Sequence, residues 1–437
     1  MEVSLFFEFI QVAIGNRKSL SGSVTDAEWL RLFEFCKKQA LIGVGFSAVE
    51  KLHAMGVVCP ANLRMTWMAL ALQIEKRNDL LNQQCRQLTE LYKHDGFVTC
   101  ILKGQGNCIN YPENLRRRRQ CGDIDVWATP IFGRQHETNV CPREDGKGER
   151  ELSQIKRELK EICPQADGGI AIAVQTGKEE VEYVEYHGRK AVIEYVKMQH
   201  RLAGDNIMPK QNYHHIDAPT MDGTEVEVHF RAAHLYSPLR NWRLQKWMNE
   251  HADECMKNKT HLGFAMPTSS VNVIYQMTHM FKHHIDGGLG FRHLMDYYYA
   301  LRVWHNDVME CKDLQSQGMW SEGLGTHVIS NEEVMSVIRS FGMTKFAAAV
   351  MYVLHKVFDM SSHYYICNLN EKEGKKLLAE IMNSGNFGHY DSEKPNVYQH
   401  RFQYHIWKFK RIFRLAMSYP EEALWEPVFR GWRKVNG

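Results

Sequence analysis

The sequence predicts an α+β protein in which a small mixed sheet lies between N- and C-terminal helical regions. Three observations support this prediction. Apolar residues recur at helical spacing up to residue 95, short β-rich runs begin at residue 97, and helical spacing returns after residue 235. The predicted organisation is therefore a helical region at 1–95, a sheet-containing core at 96–235 with an insertion at 131–188, and a helical region at 236–437.

Bulk composition narrows the class of protein. The chain of 437 residues is long enough for two or three domains, and its net charge of +3 does not by itself favour a nucleic-acid partner. The 11 cysteines are scattered without a C-x-x-C pair, which favours a reducing compartment. The N-terminus lacks the basic start of a signal peptide, and no apolar run reaches the roughly 18–20 residues of a membrane span. We therefore expect a soluble, cytoplasmic protein.

Residues 121–127 carry the strongest chemical signal. In an extended strand Asp123 and Asp125 share one face, while Ile124 and Val126 enter the core. Two neighbouring carboxylates repel each other but suit a hard cation such as Mg²⁺. An isolated D-x-D is more often structural, so its surroundings decide the interpretation.

Those surroundings begin with a β-rich run at 97–102, followed directly by Lys103 and Gly104 and a predicted short helix. A glycine turn at a helix N-terminus allows backbone N–H groups to approach a phosphate. A tight turn that simply needs glycine is an equally good explanation of these residues alone.

The remaining core contains an insertion and a hairpin. The insertion at 131–188 is polar and Gly-rich, with a predicted helix at 153–163 and strands at 170–174 and 181–186, and we expect it to be peripheral to the chemistry. Asp222-Gly223 predicts a hairpin turn before a strand at 224–230. On that strand Glu225, Glu227 and His229 share one face, which is either a solvent face or the source of a third metal-binding carboxylate.

The C-terminal region is predicted to be helical. His279 and His283 have metal-ligand spacing but no third ligand in the sequence nearby, so a polar core or cleft wall is the favoured interpretation. Arg292 and Asp296 have the spacing of a helical ion pair. A basic and aromatic helix at 401–414 is typical of either a solvated face or a phosphate-contacting one.

Taken together, these motifs resemble the nucleotidyltransferases of the DNA polymerase β superfamily, and more narrowly a bacterial family of uncharacterised nucleotidyltransferases. The matching segments are Leu102-Lys103-Gly104, Tyr111-Pro112, Arg119, Gly122-Asp123-Ile124-Asp125, Glu227-Val228-His229, the histidines from His279, and Arg292 to Asp296. Three departures bear on catalytic competence. Gln105 follows Gly104 where the superfamily commonly has serine or glycine, the third acid is glutamate rather than aspartate, and the segment between the glycine turn and the paired acids is longer than usual.

The resemblance implies a polymerase-β-like core and a Mg²⁺-dependent transfer of a nucleoside monophosphate from an NTP to an acceptor hydroxyl. The implied residues are Asp123, Asp125 and Glu227 for catalysis and for one or two Mg²⁺ ions, and Lys103, Gly104 and Arg119 for nucleotide binding. The acceptor is a small molecule, a tRNA or a protein, and neither it, the nucleotide base nor the oligomeric state can be read from the sequence. If Asp123 and Asp125 repel each other, Asp125→Asn should keep or raise stability while weakening metal binding.

Two alternatives remain open from the sequence. The first is a catalytically degenerate protein that binds nucleotide in a regulatory role. The second is an RNA-binding module that uses the arginine run at 116–119 and the basic C-terminal helix. A steep salt dependence of RNA affinity would favour the second.

Overall fold

A computed structural model describes residues 3–131, 170–175, 181–204, 208–316, 328–391, 394–395 and 400–436. Within these residues the protein is α+β, with a four-stranded mixed sheet, a separate two-stranded hairpin and many helices. None of the described helices is long and apolar enough to cross a bilayer. The predicted helix at 153–163 lies outside the described residues.

The helices and strands are numbered in chain order. They are α1 (Val3–Ile14), α2 (Asp26–Lys38), α3 (Ile42–Ala54), α4 (Ala61–His94), β1 (Phe97–Ile101), α5 (Gln105–Cys108), α6 (Glu113–Arg116), β2 (Ile124–Pro130), β3 (Ile170–Gln175), β4 (Val181–Tyr186), α7 (Gly188–Leu202), β5 (His215–Met221), β6 (Thr224–His229), α8 (Pro238–Glu250), α9 (Ala252–Lys257), α10 (Ser269–Asp286), α11 (Phe291–Ser316), α12 (Asn331–Ser340), α13 (Thr344–Phe358), α14 (Glu371–Ser384), α15 (Arg401–Ala416) and α16 (Pro420–Asn436).

Local signals place many of these boundaries where the sequence predicts them. The capping box of Thr25 and Glu28 opens α2. The β5–β6 turn holds Asp222 and Gly223 at φ values of 47° and 77°, as a tight hairpin turn of this type requires. The predicted strands inside the insertion are also confirmed as β3 and β4, which pair antiparallel.

The main sheet has the strand order β1-β2-β6-β5, in which β2 and β6 are parallel and the other pairs antiparallel. One face is apolar: Ile124, Val126, Val226 and Val228 are buried there in a core shared with α4 and α7. The other face turns toward the helices that follow β6. This difference between the faces is what directs the acidic side chains of β2 and β6 toward the helical part of the protein.

Helices from both ends of the chain share one large core. Phe6 of α1 packs against Phe291 of α11 with ring centroids 5.7 Å apart, and Gln11 donates a hydrogen bond to the Val357 carbonyl at 3.1 Å. The long helix α4 joins this core to the sheet, because Trp67 lies in the helical core while Leu88 lies in the sheet core. The helix α4 therefore links the two cores, and Cys100 of β1 and Trp127 of β2 also pack directly into the helical core.

Candidate functional site

The candidate site lies where β2 and β6 run parallel, because this pairing aligns two acidic side chains. Asp125 of β2 lies opposite Glu227 of β6, and Asp217 of β5 is the next residue across the sheet. Side chains in register on neighbouring strands point to the same face, so the three carboxylates form one row. His229 and His215 are paired in the following row on that face.

Asp125 is almost fully buried and is neutralised by two side chains. Nζ of Lys103 lies 2.6 Å from Oδ1 of Asp125, and Nε2 of His229 lies 3.0 Å from the same oxygen. Burial disfavours the ionised aspartate, but the charge of Lys103 and the hydrogen bond from His229 outweigh it and hold the pKa of Asp125 well below its usual range. Burial likewise opposes the charge on Lys103, and the Asp125 carboxylate outweighs it and raises the lysine pKa.

Asp123 is in a different electrostatic position from Asp125. It precedes β2, is half-buried, and lines the same pocket as Lys103. The negative charge of Asp125, followed by burial, raises the pKa of Asp123, and the attraction of Lys103 does not fully compensate. The repulsion expected between the two aspartates therefore acts on Asp123, while Asp125 is already paired.

Glu227 is held by histidines. Its Oε2 lies 3.0 Å from Nδ1 of His215 and 3.6 Å from Nε2 of His229. Burial alone would raise the pKa of Glu227. The hydrogen bond from His229 outweighs burial, so the pKa of Glu227 lies below its ordinary value. Ligand atoms of Asp125, Glu227 and His229 all lie within 4.8 Å of one another. The structure thus brings Asp125 and Glu227 together with His229, which contacts both carboxylates, whereas Asp123 does not belong to this group.

The glycine turn after β1 is anchored rather than free. Gly104 has φ 54° and ψ −109°, a conformation that is open essentially only to glycine. Gln105, which replaces the usual serine or glycine, donates hydrogen bonds to the Asn78 carbonyl at 3.1 Å and to Oδ1 of Asn82 at 2.6 Å. Since α5 has only four residues, its dipole is small, and the turn offers a phosphate the Gly104 backbone and the charge of Lys103 instead.

Asp296 of α11 lies at the centre of a buried hydrogen-bonded cluster that includes residues of several sequence motifs. It accepts two hydrogen bonds from Arg119, at 2.7 and 2.6 Å, one from the Tyr111 hydroxyl at 2.7 Å and one from Asn107 at 3.2 Å. The pair expected between Arg292 and Asp296 is not formed, because Arg119 occupies both carboxylate oxygens. Arg119 lines the pocket, but its charge is already neutralised by Asp296.

The arginine run before the paired acids is used inside the chain. Arg117 pairs with Asp79 of α4, and Arg118 pairs with Glu75 of the same helix at 2.9 Å. Arg116 donates to a backbone carbonyl. With Arg119 on Asp296, this run fastens the segment to α4 and α11, and it does not form the free basic surface that RNA binding requires.

Arg292 lines the same pocket as Arg119 but is not paired with a carboxylate of the described residues. Its Nη1 donates to the Gln120 carbonyl at 3.0 Å, its Nε is buried without a partner, and no carboxylate among the described residues lies within 4.0 Å of it. Burial and the nearby charge of Arg119 lower the pKa of Arg292. This direction means that the surrounding negative charge does not fully compensate the guanidinium. Such a group favours an anionic ligand.

A comparison with known protein families shows which family this chain belongs to. The sequence pattern of a family described as uncharacterised nucleotidyltransferase matches residues 25–132 and 184–318, together more than half of the chain. The chain belongs to this nucleotidyltransferase family. The unmatched interval between the two ranges falls within the predicted insertion. No curated protein and no solved structure matches the chain significantly.

Sequence reasoning missed part of this candidate site. His229 was identifiable as a partner of Asp125 only from its position two residues after Glu227, on the same strand face. The sequence identified Arg292 and Asp296 only as a helical ion pair and as a segment that matches the family, and it assigned neither residue a role in the site. Their actual relations, to Arg119 and to the pocket, depend on how α11 packs against the β1–β2 segment.

Cys121 gives a first prediction for this protein. Its sulfur lies 3.5 Å from that of Cys108 and accepts a hydrogen bond from Arg119 at 2.7 Å. Burial opposes the thiolate, but the Cys108 hydrogen bond and the Arg119 charge outweigh it and lower the pKa of Cys121 to about 7. Iodoacetamide labelling of Cys121, followed by peptide mass spectrometry, should therefore rise through neutral pH. Cys311, whose thiol pKa is raised by burial, is the control, and equal pH profiles for the two would contradict the prediction.

Proposed function

We propose that this protein is a Mg²⁺-dependent nucleotidyltransferase that transfers a nucleoside monophosphate from an NTP to the hydroxyl of an acceptor. The observation that supports the proposal most is the aligned pair of Asp125 and Glu227 on parallel strands. This pair lies beside the Lys103–Gly104 turn, and Asp125 faces a pocket that also exposes Arg292. Membership of the nucleotidyltransferase family supports the reaction class.

The residues fit a divalent cation. Asp123, Asp125 and Glu227 place three carboxylates beside Lys103, His215 and His229, and the raised pKa of Asp123 reflects the uncompensated negative charge of Asp125. Carboxylate oxygens are the protein ligands that Mg²⁺ prefers. Lys103 and His229 both lie on Oδ1 of Asp125, which leaves Oδ2 for the metal. When bound, the cation contributes phosphate binding and neutralisation of charge on the leaving group.

The groups that bind the triphosphate follow from the charges in the pocket. Lys103 and the Gly104 backbone lie on one side, and we assign to Arg292 the phosphate contact that the sequence assigned to Arg119. Arg119 is then a positioning residue, since its two hydrogen bonds to Asp296 fix the segment that leads into Asp123. Arg292 has the unpaired donor that phosphate recognition needs.

The chemistry is an in-line displacement. The acceptor oxygen attacks the α-phosphorus and forms a new O–P bond, and the bond from that phosphorus to the bridging oxygen breaks. Pyrophosphate leaves with the electron pair of the broken bond. The hydroxyl proton passes to the carboxylate of Asp123, which lines the pocket beside Lys103. Lys103 and Arg292 offset the charge that develops on the phosphates.

Transfer of label from nucleotide to acceptor tests this function. The protein would be incubated with Mg²⁺, cell extract and each NTP in turn, labelled either at the α- or at the γ-phosphate. We expect α-label, and not γ-label, to appear on a product together with released pyrophosphate. Binding of Mg²⁺ and NTP with no pyrophosphate release from any nucleotide would instead identify a degenerate, nucleotide-binding relative.

A further inference from the structure

Three histidines form a separate cluster beside the pocket. His279 and His283 lie one turn apart on α10, and His293 lies in the first turn of α11. One ring nitrogen from each lies within 4.8 Å of the other two. His279 and His293 also line the pocket. The third ligand that the sequence did not reveal next to His279 and His283 is therefore supplied by the following helix.

The imidazoles of this cluster have few partners. No hydrogen bond among the described residues involves a ring nitrogen of His279 or His283. His293 is only 5% exposed, and its Nε2 is buried without a hydrogen bond. A buried polar group is normally satisfied, so the unpartnered Nε2 of His293, beside the two half-buried imidazoles of His279 and His283, favours a bound ligand. The ring nitrogens themselves indicate what kind of ligand this is.

The surrounding backbone is shaped to cover the cluster. Phe387 has φ 55° and ψ 18°, an unusual conformation for a bulky residue, and its ring centroid lies 4.9 Å from that of His283 and 4.6 Å from that of His293. A side chain at Gly290 would meet Asn386 at 2.7 Å, so glycine in this loop permits the close approach. Strained residues of this kind concentrate at functional sites.

The cations around the cluster are partly compensated. Lys282 of the same helix is paired with Asp286 at 2.9 Å, and Lys103 is paired with Asp125 at 2.6 Å. Arg292, next to His293, has no carboxylate partner among the described residues, so it repels a bound cation that the three ring nitrogens must hold.

We propose that His279, His283 and His293 bind a divalent first-row transition-metal ion, specifically Zn²⁺, at a site distinct from the carboxylates of β2 and β6. Three imidazole nitrogens without a carboxylate suit Zn²⁺ and not Mg²⁺. Three protein ligands leave a fourth position for a water or substrate atom, as in catalytic zinc sites. Since two of the three histidines line the pocket, a molecule bound there can reach that position.

One hydrogen bond opposes this arrangement and must be exchanged. The Gly290 N–H lies 3.3 Å from Nδ1 of His293, which places the ring proton on Nε2 in the metal-free protein. Coordination through Nε2 moves that proton to Nδ1 and breaks the long bond to Gly290. Gly290 belongs to a loop rich in glycine, which allows its peptide to turn away.

Zinc binding by the metal-free protein tests the proposal without any nucleotide. Competition with a chromogenic chelator should show one tight Zn²⁺ equivalent in the wild type, weakened at least about 100-fold in His283→Gln. His305→Gln, on α11 but outside the cluster, is the matched control and should bind like the wild type. His215→Gln should also keep the site, because it alters only the histidines near Glu227.

Several results would overturn the proposal. They are the absence of a tight equivalent in the wild type, unchanged affinity in His283→Gln, or loss of the site in His215→Gln. If His283→Gln does not fold, X-ray absorption of the wild-type zinc complex decides instead. Three imidazole nitrogens are expected around the ion both in the wild type and in His215→Gln, because His214, His215 and His229 form a second group of three close imidazoles. A shell that loses an imidazole in His215→Gln, or one made mainly of carboxylate oxygens, would place the ion beside Asp125 and Glu227. Because this experiment measures zinc binding directly, its result does not depend on whether the protein catalyses nucleotidyl transfer.

Discussion

Asp125→Asn should unfold more easily than the wild type, whereas Asp123→Asn should be as stable or more stable, and both should lose transfer activity. Asp125 neutralises the buried Lys103, and breaking a buried ion pair by removing one partner typically costs about 3–5 kcal/mol. Asp123 carries the unrelieved repulsion, so removing its charge relieves the site. The sequence predicts that Asp125→Asn keeps or raises stability. From the structure we expect this result for Asp123→Asn instead, because the repulsion acts on Asp123.

Denaturant unfolding of the metal-free proteins measures the stability difference, and release of pyrophosphate measures activity. Transfer should fall roughly 10²–10³-fold in each variant, comparable to the loss of one group that stabilises transition-state charge. The double variant Lys103→Met/Asp125→Asn should recover part of the stability lost in Asp125→Asn, since no unpaired ammonium remains. Equal stability of the two single variants would contradict the assignment of Lys103 to Asp125.

The same pair of variants should respond to pH with opposite signs. The lowered pKa of Asp125 contributes stability that is present above the ordinary aspartate value of 3.8 and is lost as the pH falls toward the folded-state pKa. The raised pKa of Asp123 acts in the other direction, because its ionisation above that pKa destabilises the fold. The stability gap between the two variants should therefore be widest near neutral pH and narrow in acid.

Arg119→Gln and Arg292→Gln should separate a structural from a ligand-binding arginine. Loss of Arg119 leaves the buried Asp296 without its cation, and we expect about 3–5 kcal/mol of destabilisation. Arg292 has no carboxylate partner among the described residues, so Arg292→Gln should fold normally. It should weaken Mg²⁺·NTP binding by roughly 10–100-fold, the range expected for loss of a charged hydrogen bond of about 1.5–3 kcal/mol.

Calorimetric titration with each nucleotide, alongside thermal melts, measures both effects. Arg292→Lys should retain part of the affinity because it keeps the charge but not the planar fork of donors. A destabilised Arg292→Gln with unchanged nucleotide affinity would show that Arg292 is structural. If Arg119→Gln is stable but binds nucleotide weakly, Arg119 contacts the phosphates, as the sequence predicted.

What the sequence alone determined is local in origin. The strand alternation buries Ile124 and Val126 on one face and turns Asp125 to the other, because side chains on a strand alternate with a period of two. Asp222-Gly223 sets the hairpin through its backbone conformation. In the same way the capping box fixes the start of α2, since its two residues satisfy each other's backbone donors.

Only the tertiary structure decided which charged groups meet. Arg119 and Asp296 are separated by 177 residues, and their pairing displaced the local pair that the helix spacing favoured between Arg292 and Asp296. The packing of α10 and α11 against the sheet likewise brought His293 to His279 and left Arg292 facing the pocket. A buried charge takes the partner that completes its hydrogen bonds in three dimensions, and spacing along the chain does not contain that information.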